Sequence, residues 1–275
     1  MKKKYFYLIL AMVLLFALCC SISAFAEDGK DAKQLLEHLY CPEGQEPVRD
    51  AVIESEKYME VSESPYATST KKIMVSQDKM FFLSPNKFRA DILDTNPASA
   101  LYGHSRTIIR DGKFVYTYVA YGVDFAKMEV DKPENTAYLP YYLQKYPIFS
   151  DFKYIYLGQE KINDQIYEVV GIFNPASYVD YKTNLVKVWI DAKKWVPYKI
   201  ELTKYKDKEK KETYLRRTSY GDVKQLPDGR WWPFKITIDG FNKAKDRFIF
   251  ESAVIYKKVA VNVGLEEDLF KPVKQ

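Results

Sequence analysis

Cysteine and histidine are scarce in this sequence. The 275 residues contain three cysteines and two histidines. Cys19 and Cys20 lie near the start of the chain, so Cys41 stands alone in the remainder. A single thiol cannot form an internal disulfide, and His38, His104 and Cys41 do not supply the two ligand pairs of a structural zinc site. We therefore expect no disulfide framework and no metal centre, and stability must come from burial of apolar side chains.

Motifs for catalysis are also absent. The sequence has no Gly-x-Ser-x-Gly nucleophile motif, no Gly-rich phosphate loop and no His-Glu-x-x-His motif. Its many Asp and Glu residues alternate with lysines, a pattern typical of solvated strand faces. We predict no catalytic residues, no cofactor and no enzymatic activity. A secreted hydrolase is a minor alternative, for which convergent carboxylates in a cavity would be the evidence.

The excess of positive charge is small. The chain has 42 Lys and Arg against 37 Asp and Glu, a formal net charge of +5. Lys2, Lys3 and Lys4 supply most of this excess, so the rest of the chain is nearly neutral. Nucleic-acid binding therefore has no electrostatic basis.

The first 26 residues resemble a secretory signal. Three lysines precede the uncharged stretch Tyr5–Ala26, which ends in the small-x-small pattern Ala24-Phe25-Ala26 before Glu27. We predict a cleaved signal peptide over residues 1–26 and a single domain over residues 27–275, exported to the periplasm. Two alternatives are an uncleaved membrane anchor and lipid attachment at Cys19 or Cys20, although Leu18 is not the small residue that a lipoprotein signal has before its cysteine.

One apolar and one polar face alternate through the second half of the chain. In residues 185–270, for example, Val186, Val188 and Ile190 alternate with Lys187, Trp189 and Asp191. Side chains two apart in a strand share a face, so this pattern predicts an antiparallel sheet with one apolar face, which a helix, a second sheet or a ligand must cover. The residues expected to line that concave face, as a ligand cavity or as a closed core, are Phe114, Tyr116, Tyr118, Val188, Ile190, Ile200, Leu202, Ile236, Ile238, Phe248 and Phe250.

Two segments have helical spacing instead. Residues 31–40 place Leu35, Leu36 and Leu39 on one side of a short helix. In residues 133–149 the prolines interrupt any strand, and apolar side chains recur at helical spacing. The four of these that we expect to form a lid are Tyr138, Leu139, Tyr142 and Leu143.

Several short motifs, taken in order, resemble the LolA/LolB family of periplasmic lipoprotein carriers. Pro85-Asn86-Lys87-Phe88 resembles the family's Pro-Asn-x-Phe turn. Asp111-Gly112-Lys113, followed by aromatic residues, resembles its Asp-Gly-Lys hairpin. Residues 134–149 fall where the family has helices over its cavity, and Leu269-Phe270-Lys271-Pro272 resembles its closing Phe-x-Pro.

The resemblance implies a mainly β (α+β) fold, an open antiparallel half-barrel with short helices covering its concave apolar face. It further implies a monomeric, non-enzymatic carrier that binds lipid or lipoprotein acyl chains. Such a carrier would deliver its cargo from an inner-membrane donor toward an outer-membrane acceptor, and so act in transport and as a chaperone in outer-membrane biogenesis. LolA has an arginine before the Pro-Asn turn that holds its lid closed; this chain has Ser84 there, and Arg89 is the candidate substitute latch. The alternative is an envelope sensor or scaffold that binds a protein partner with the same half-barrel.

Overall fold

The computed structural model describes residues 31–62, 70–84, 86–119, 125–129, 153–173, 184–206, 211–242 and 247–272. From Ala32 onward the chain forms one compact unit. No helix within these residues is long and apolar enough to span a membrane. The predictions that lie outside the described residues are the signal peptide at 1–26, with Cys19 and Cys20, and the lid residues Tyr138, Leu139, Tyr142 and Leu143.

One helix and thirteen strands make up the described structure, together with a short 3₁₀ helix. The helix α1 spans Ala32–Tyr40 and the 3₁₀ helix spans Glu267–Phe270. The strands are β1 Asp50–Ser62, β2 Thr70–Leu83, β3 Lys87–Asp94, β4 Ser105–Arg110, β5 Phe114–Val119, β6 Phe125–Glu129, β7 Lys153–Ile162, β8 Gln165–Phe173, β9 Asn184–Asp191, β10 Val196–Lys206, β11 Lys211–Gln225, β12 Trp231–Asn242 and β13 Arg247–Val261.

All thirteen strands belong to one sheet, in the order β6-β5-β4-β3-β2-β1-β13-β12-β11-β10-β9-β8-β7. Every pairing in it is antiparallel. Neighbours in space are neighbours in sequence, except that β1 pairs with β13 and so joins the two halves of the chain. The terminal strands β6 and β7 do not pair with each other, so the sheet stays open. The predicted mainly β, open half-barrel is confirmed.

The helix α1 covers one end of the sheet. Its side chains Leu35, Leu36 and Leu39 form a buried cluster with Val188 and Ile190 of β9 and their neighbours on β8. Because these leucines recur at helical spacing, they share the side of α1 that faces the strands. Leu36 is only 2% exposed. We call the face of the sheet that carries Val188 and Ile190 the inner face, and the opposite face the outer face.

The strand register continues the inner face across the sheet. From Val188 it passes through Ile200, Thr218 and Ile238 to Ser252, each paired directly with the next. Ser252 in turn pairs with Met59 of β1. The residues two and four positions before Met59, Lys57 and Ser55, therefore also lie on the inner face.

A second buried cluster joins β1–β3 to β10–β13. Its largest member is Trp232, which is 1% exposed and whose ring lies 6.3 Å from that of Tyr256 in an edge-to-face arrangement. Phe82, Phe88 and Ile236 belong to the same cluster. Edge-to-face contact stabilises aromatic pairs beyond simple burial. Around Trp232 the inner face is a closed core.

The outer face is covered at β3 by the end of the chain. The 3₁₀ helix contacts β3, where Lys87 Nζ lies 2.9 Å from a Glu267 carboxylate oxygen. Arg89 donates a hydrogen bond of 3.5 Å to the carbonyl of Leu269. Phe270 is 1% exposed. The Phe-x-Pro segment therefore acts as a cover for the outer face.

Candidate functional site

A cavity opens on the inner face of β1–β4, which α1 does not cover. Its volume is about 270 Å³. A second cavity of about 140 Å³ adjoins it and extends to Leu101 and His104. The two share Lys57, Ser76, Ile92 and Arg106. The larger cavity is lined by those four residues and by Asp78, Met80, Phe88, Ala90 and Ile108.

The cavity wall is built in layers that follow the strand register. One cross-strand row is apolar throughout: Ile53, Met80, Ala90 and Ile108 on β1, β2, β3 and β4. Two residues along each strand, the next row is Ser55, Asp78, Ile92 and Arg106. Lys57 pairs with Ser76 in the row beyond. Rows two residues apart are separated by roughly 7 Å. The cavity is therefore apolar at one end and charged at the other.

Asp78 is the carboxylate in the row that also contains Arg106. Burial raises its pKa above the ordinary value, while a hydrogen bond with Ser76 and the positive charges of Lys57 and Arg106 oppose the rise. Its Oδ1 atom is buried and accepts no hydrogen bond from the described residues. A buried carboxylate oxygen without a donor disfavours the charged form. Asp78 therefore reduces the positive charge of this end only in part.

Two of the predicted cavity residues lie in the closed core under α1. Val188 and Ile190 are both fully buried there, with Leu35 and Leu36 among their neighbours. Ile200 packs against both buried clusters. The helix fills the space over these side chains, so this part of the inner face is not an open cavity.

Three other predicted residues share the inner face farther along the sheet. Ile236 is buried in the Trp232 cluster. Ile238 and Leu202 are half-buried on the same face. They continue the apolar surface away from α1, toward the side of the sheet that holds the cavity.

The structure places Phe114, Tyr116 and Tyr118 on the outer face, against the expectation. Tyr116 pairs with Ile109, which pairs with Arg89, and this row lies on the face opposite Ile108 and Ala90. The Tyr116 hydroxyl donates to an Asp111 carboxylate oxygen over 3.1 Å. Both sets of alternating side chains on β5 include apolar residues, so alternation alone could not identify its inner face.

Phe248 and Phe250 also lie on the outer face, for a different reason. Ile238 pairs with Ser252, but the next residue, Asp239, pairs with Phe250, so Glu251 is an extra residue in β13. A bulge of this kind shifts every following side chain to the other face. The Arg217 guanidinium lies 4.0 Å from the centre of the Phe248 ring.

Arg89, the predicted latch, is likewise on the outer face. Its guanidinium pairs with Asp91 at 3.1 Å and contacts the Leu269 carbonyl. Whether it also meets the lid stays a prediction, because Tyr138, Leu139, Tyr142 and Leu143 lie outside the described residues.

The residues that line the open cavity were not predicted from the sequence. Phe88, Ala90 and Ile92 alternate along β3 and share the inner face with Met80 and Ile108. The signal is present in the alternation of Phe88, Ala90 and Ile92, but the strand is short. Arg89 and Asp91 between them fit the alternation, but Asp78 and Arg106 on the same face of the neighbouring strands interrupt the apolar pattern there.

The fold resembles that of several solved structures. An outer membrane lipoprotein-sorting protein domain from Vibrio parahaemolyticus superimposes with a TM-score of 0.54 at 14% identity, covering 87% of this chain and 94% of that one. A LolA superfamily protein from Nitrosomonas europaea gives 0.53 at 15% identity, covering 88% and 97%. A DUF1329 family protein from Desulfovibrio piger gives 0.56 at 10% identity, covering 87% and 95%.

Comparisons of the sequence alone identify one protein-family model and no curated relative. A protein-family model described as "Uncharacterized protein" matches residues 147–274. No curated protein matches the sequence. At identities of 10–15% the structural likeness concerns the fold. The chain therefore has a LolA-like fold, and the resemblance seen in the sequence is confirmed at that level.

Proposed function

We propose that this protein is a non-enzymatic periplasmic carrier that binds lipid or lipoprotein acyl chains in the cavity on β1–β4 and delivers them toward the outer membrane. The observation that supports the proposal is the apolar row formed by Met80, Ala90 and Ile108 in a cavity of about 270 Å³ on the inner face of an open half-barrel. The similar structures include a domain named for lipoprotein sorting.

Acyl-chain burial alone gives enough affinity for such a carrier. Each buried methylene contributes about 0.8 kcal/mol, so about ten methylenes buried in the cavity supply roughly 8 kcal/mol before the cost of ordering the chain. No catalytic group is needed for this role. Among the described residues, no cluster of His, Cys, Asp or Glu is arranged to hold a metal ion.

The proposed signal peptide, domain, partners and lid are inferred from the sequence and its family resemblance. Residues 1–26 are a cleaved signal peptide, and residues 27–275 are a single, monomeric LolA-like lipid-binding domain that exchanges cargo with an inner-membrane donor and an outer-membrane acceptor. Tyr138, Leu139, Tyr142 and Leu143 form the lid. Replacing two of the lid residues with aspartate should abolish acyl-chain uptake while thermal unfolding of the sheet stays unchanged; unchanged uptake would contradict the lid assignment.

The first experiment is native mass spectrometry of the mature chain purified from a membrane-bearing host, with lipid extraction and a fluorescent fatty-acid uptake assay. Stoichiometric co-purifying lipid or acylated peptide, or saturable uptake, is the expected result. A clean apo mass without uptake would mean that the cavity is not a lipid site.

The alternative is an envelope sensor or scaffold that binds a protein partner. The observation in its favour is the terminal strand β7, beyond which the sheet has no further strand among the described residues. Leu157 on β7 is 42% exposed. An exposed sheet edge can accept a strand from a partner. Protein capture without lipid binding would favour this alternative.

A further inference from the structure

The cations of the cavity differ from the ion-paired cations of the outer face. On the outer face Arg217 pairs with Glu201 at 2.8 Å, and Lys257 pairs with Glu56 at 2.8 Å. In the cavity, Lys57 and Arg106 have no carboxylate within ion-pair distance among the described residues, although both line it. These two positive charges are therefore available to a ligand.

The carboxylates near the two cations do not neutralise them. Asp78 lies in the same row as Arg106, two strands away. Asp94, in the adjoining cavity, is already engaged by local turns: one oxygen accepts the Asn96 N–H at 2.9 Å and the other accepts the Ser99 hydroxyl at 2.6 Å. The charged end of the cavity thus has two available cations and one partly buried carboxylate.

The position of these charges matches an amphiphile. Arg106 lies in the row roughly 7 Å, two residues of strand rise, from the apolar row of Met80, Ala90 and Ile108, and Lys57 lies one row farther, roughly 14 Å away. Lys57 and Arg106 are exposed, so they remain hydrated in the empty protein and incur little desolvation cost before a ligand arrives. An acyl chain on the apolar row would place an attached acidic group in the part of the cavity that both cations line.

We propose that Lys57 and Arg106 bind the acidic group of the cargo, so that the preferred ligand is an anionic amphiphile whose carboxylate or phosphate is attached to its acyl chain. This inference rests on the proposed carrier function and adds the chemical class of the cargo. Hydrogen bonds from a cation to an anion are about twice as strong as neutral ones, and Arg can donate two in parallel.

The test compares two ligands with the same sixteen-carbon chain, palmitate and hexadecanol, as competitors of a fluorescent fatty acid. We expect the unmodified protein to bind palmitate about tenfold more tightly than hexadecanol, a ratio typical of one or two charge-assisted hydrogen bonds. The double variant Lys57→Gln/Arg106→Gln should lose the preference, through weaker palmitate binding. The matched control, Lys79→Gln/Lys258→Gln, removes two exposed cations of the outer face and should keep the preference.

The possible outcomes distinguish failure of the charge inference from failure of the carrier function on which it rests. Binding of hexadecanol and palmitate with equal affinity by the unmodified protein overturns the charge inference and leaves the carrier standing. An unchanged preference in the Lys57→Gln/Arg106→Gln variant overturns the role of these two residues. Competition by inorganic phosphate alone at the concentration of the lipid would identify a site for free anions. That result would contradict the proposal that the preferred ligand is an amphiphile. Binding of neither amphiphile contradicts the carrier function itself.

Discussion

Ile92 on β3 pairs directly with Arg106 on β4, so an apolar and a cationic side chain stand next to each other on the wall of the cavity. Paired side chains on one face of a sheet are about 5 Å apart. The boundary between the apolar and the charged part of the cavity passes between these two residues. A ligand that spans the boundary must itself have an apolar and a polar part.

Filling the cavity tests whether it holds the acyl chain. Ile92 lines it, while the next residue, Leu93, faces the outer side of β3, and both are half-buried. Ile92→Trp should reduce fatty-acid uptake at least tenfold, because the indole occupies space that the chain needs. Leu93→Trp adds the same volume on the other face and should leave uptake within about twofold. Equal uptake by both variants would place the lipid elsewhere.

The packing of α1 makes a prediction about stability. Leu36 is 2% exposed against the β8–β9 part of the inner face. Leu36→Ala should lower the free energy of unfolding by about 2–5 kcal/mol, the usual range for a buried leucine. Urea denaturation followed by circular dichroism measures the loss. Gln34→Ala, an exposed position on the same helix, should change it by less than about 0.5 kcal/mol. A similar small loss for Leu36→Ala would contradict the packing of α1.

Much of this fold could be predicted from the sequence because alternation reports local geometry. The strands of residues 185–242 and the helix of residues 31–40 follow from their periodicity. Which face of a strand meets the core, however, depends on every pairing across the sheet. Glu251 is an extra residue in β13, so Phe250 lies on the opposite face of the sheet from Ile238. No local sequence pattern marks this bulge. The open cavity was missed because Asp78 and Arg106 interrupt its apolar pattern.

The Asp111-Gly112 dipeptide likewise indicates a hairpin but not the type of its turn. The dipeptide indicates a hairpin, and β4 and β5 do form one. Asp111 nevertheless does not adopt the positive φ that a type I′ turn with Asp-Gly at its centre requires; Gly112 does, at 104°. The Asp111 carboxylate instead accepts the backbone N–H groups of Lys113 and Phe114 at 2.9 and 2.8 Å. Its side chain stabilises the turn from the preceding position.

The outer face contains a charged network whose strength can be measured. Glu201, with its side chain 4% exposed, lies 2.8 Å from Arg217 and 3.4 Å from Lys199. A double-mutant cycle of Glu201→Ala and Arg217→Ala should give a coupling energy of about 1 kcal/mol or more, because burial strengthens the interaction. The exposed pair Lys79–Glu54, at 3.8 Å, should give less than about 0.5 kcal/mol. Equal couplings would mean that solvent screens both pairs alike.

Asp78 connects the chemistry of the cavity to the pH dependence of stability. Its pKa is raised in the folded protein, chiefly by burial, despite the positive charges of Lys57 on β1 and Arg106 on β4. The folded state therefore binds a proton more readily than the unfolded chain, and the charged carboxylate destabilises the fold at every pH above its folded pKa. This destabilisation is relieved as the pH falls through that raised value and is absent below the ordinary value of 3.8.

Asp78→Asn should consequently be more stable than the unmodified protein at pH 7, because asparagine retains the shape and a hydrogen bond to Ser76 without the charge. The difference should shrink as the pH is lowered through the raised pKa of Asp78, because the unmodified protein then also carries a neutral group. Urea denaturation at a series of pH values measures it, with Asp164→Asn, on an exposed turn, as the control. If Asp78→Asn is instead less stable at pH 7, attraction by Lys57 and Arg106 outweighs the burial of the carboxylate. In that case Lys57 and Arg106 stabilise the charge of Asp78, and they are less available to an acidic ligand.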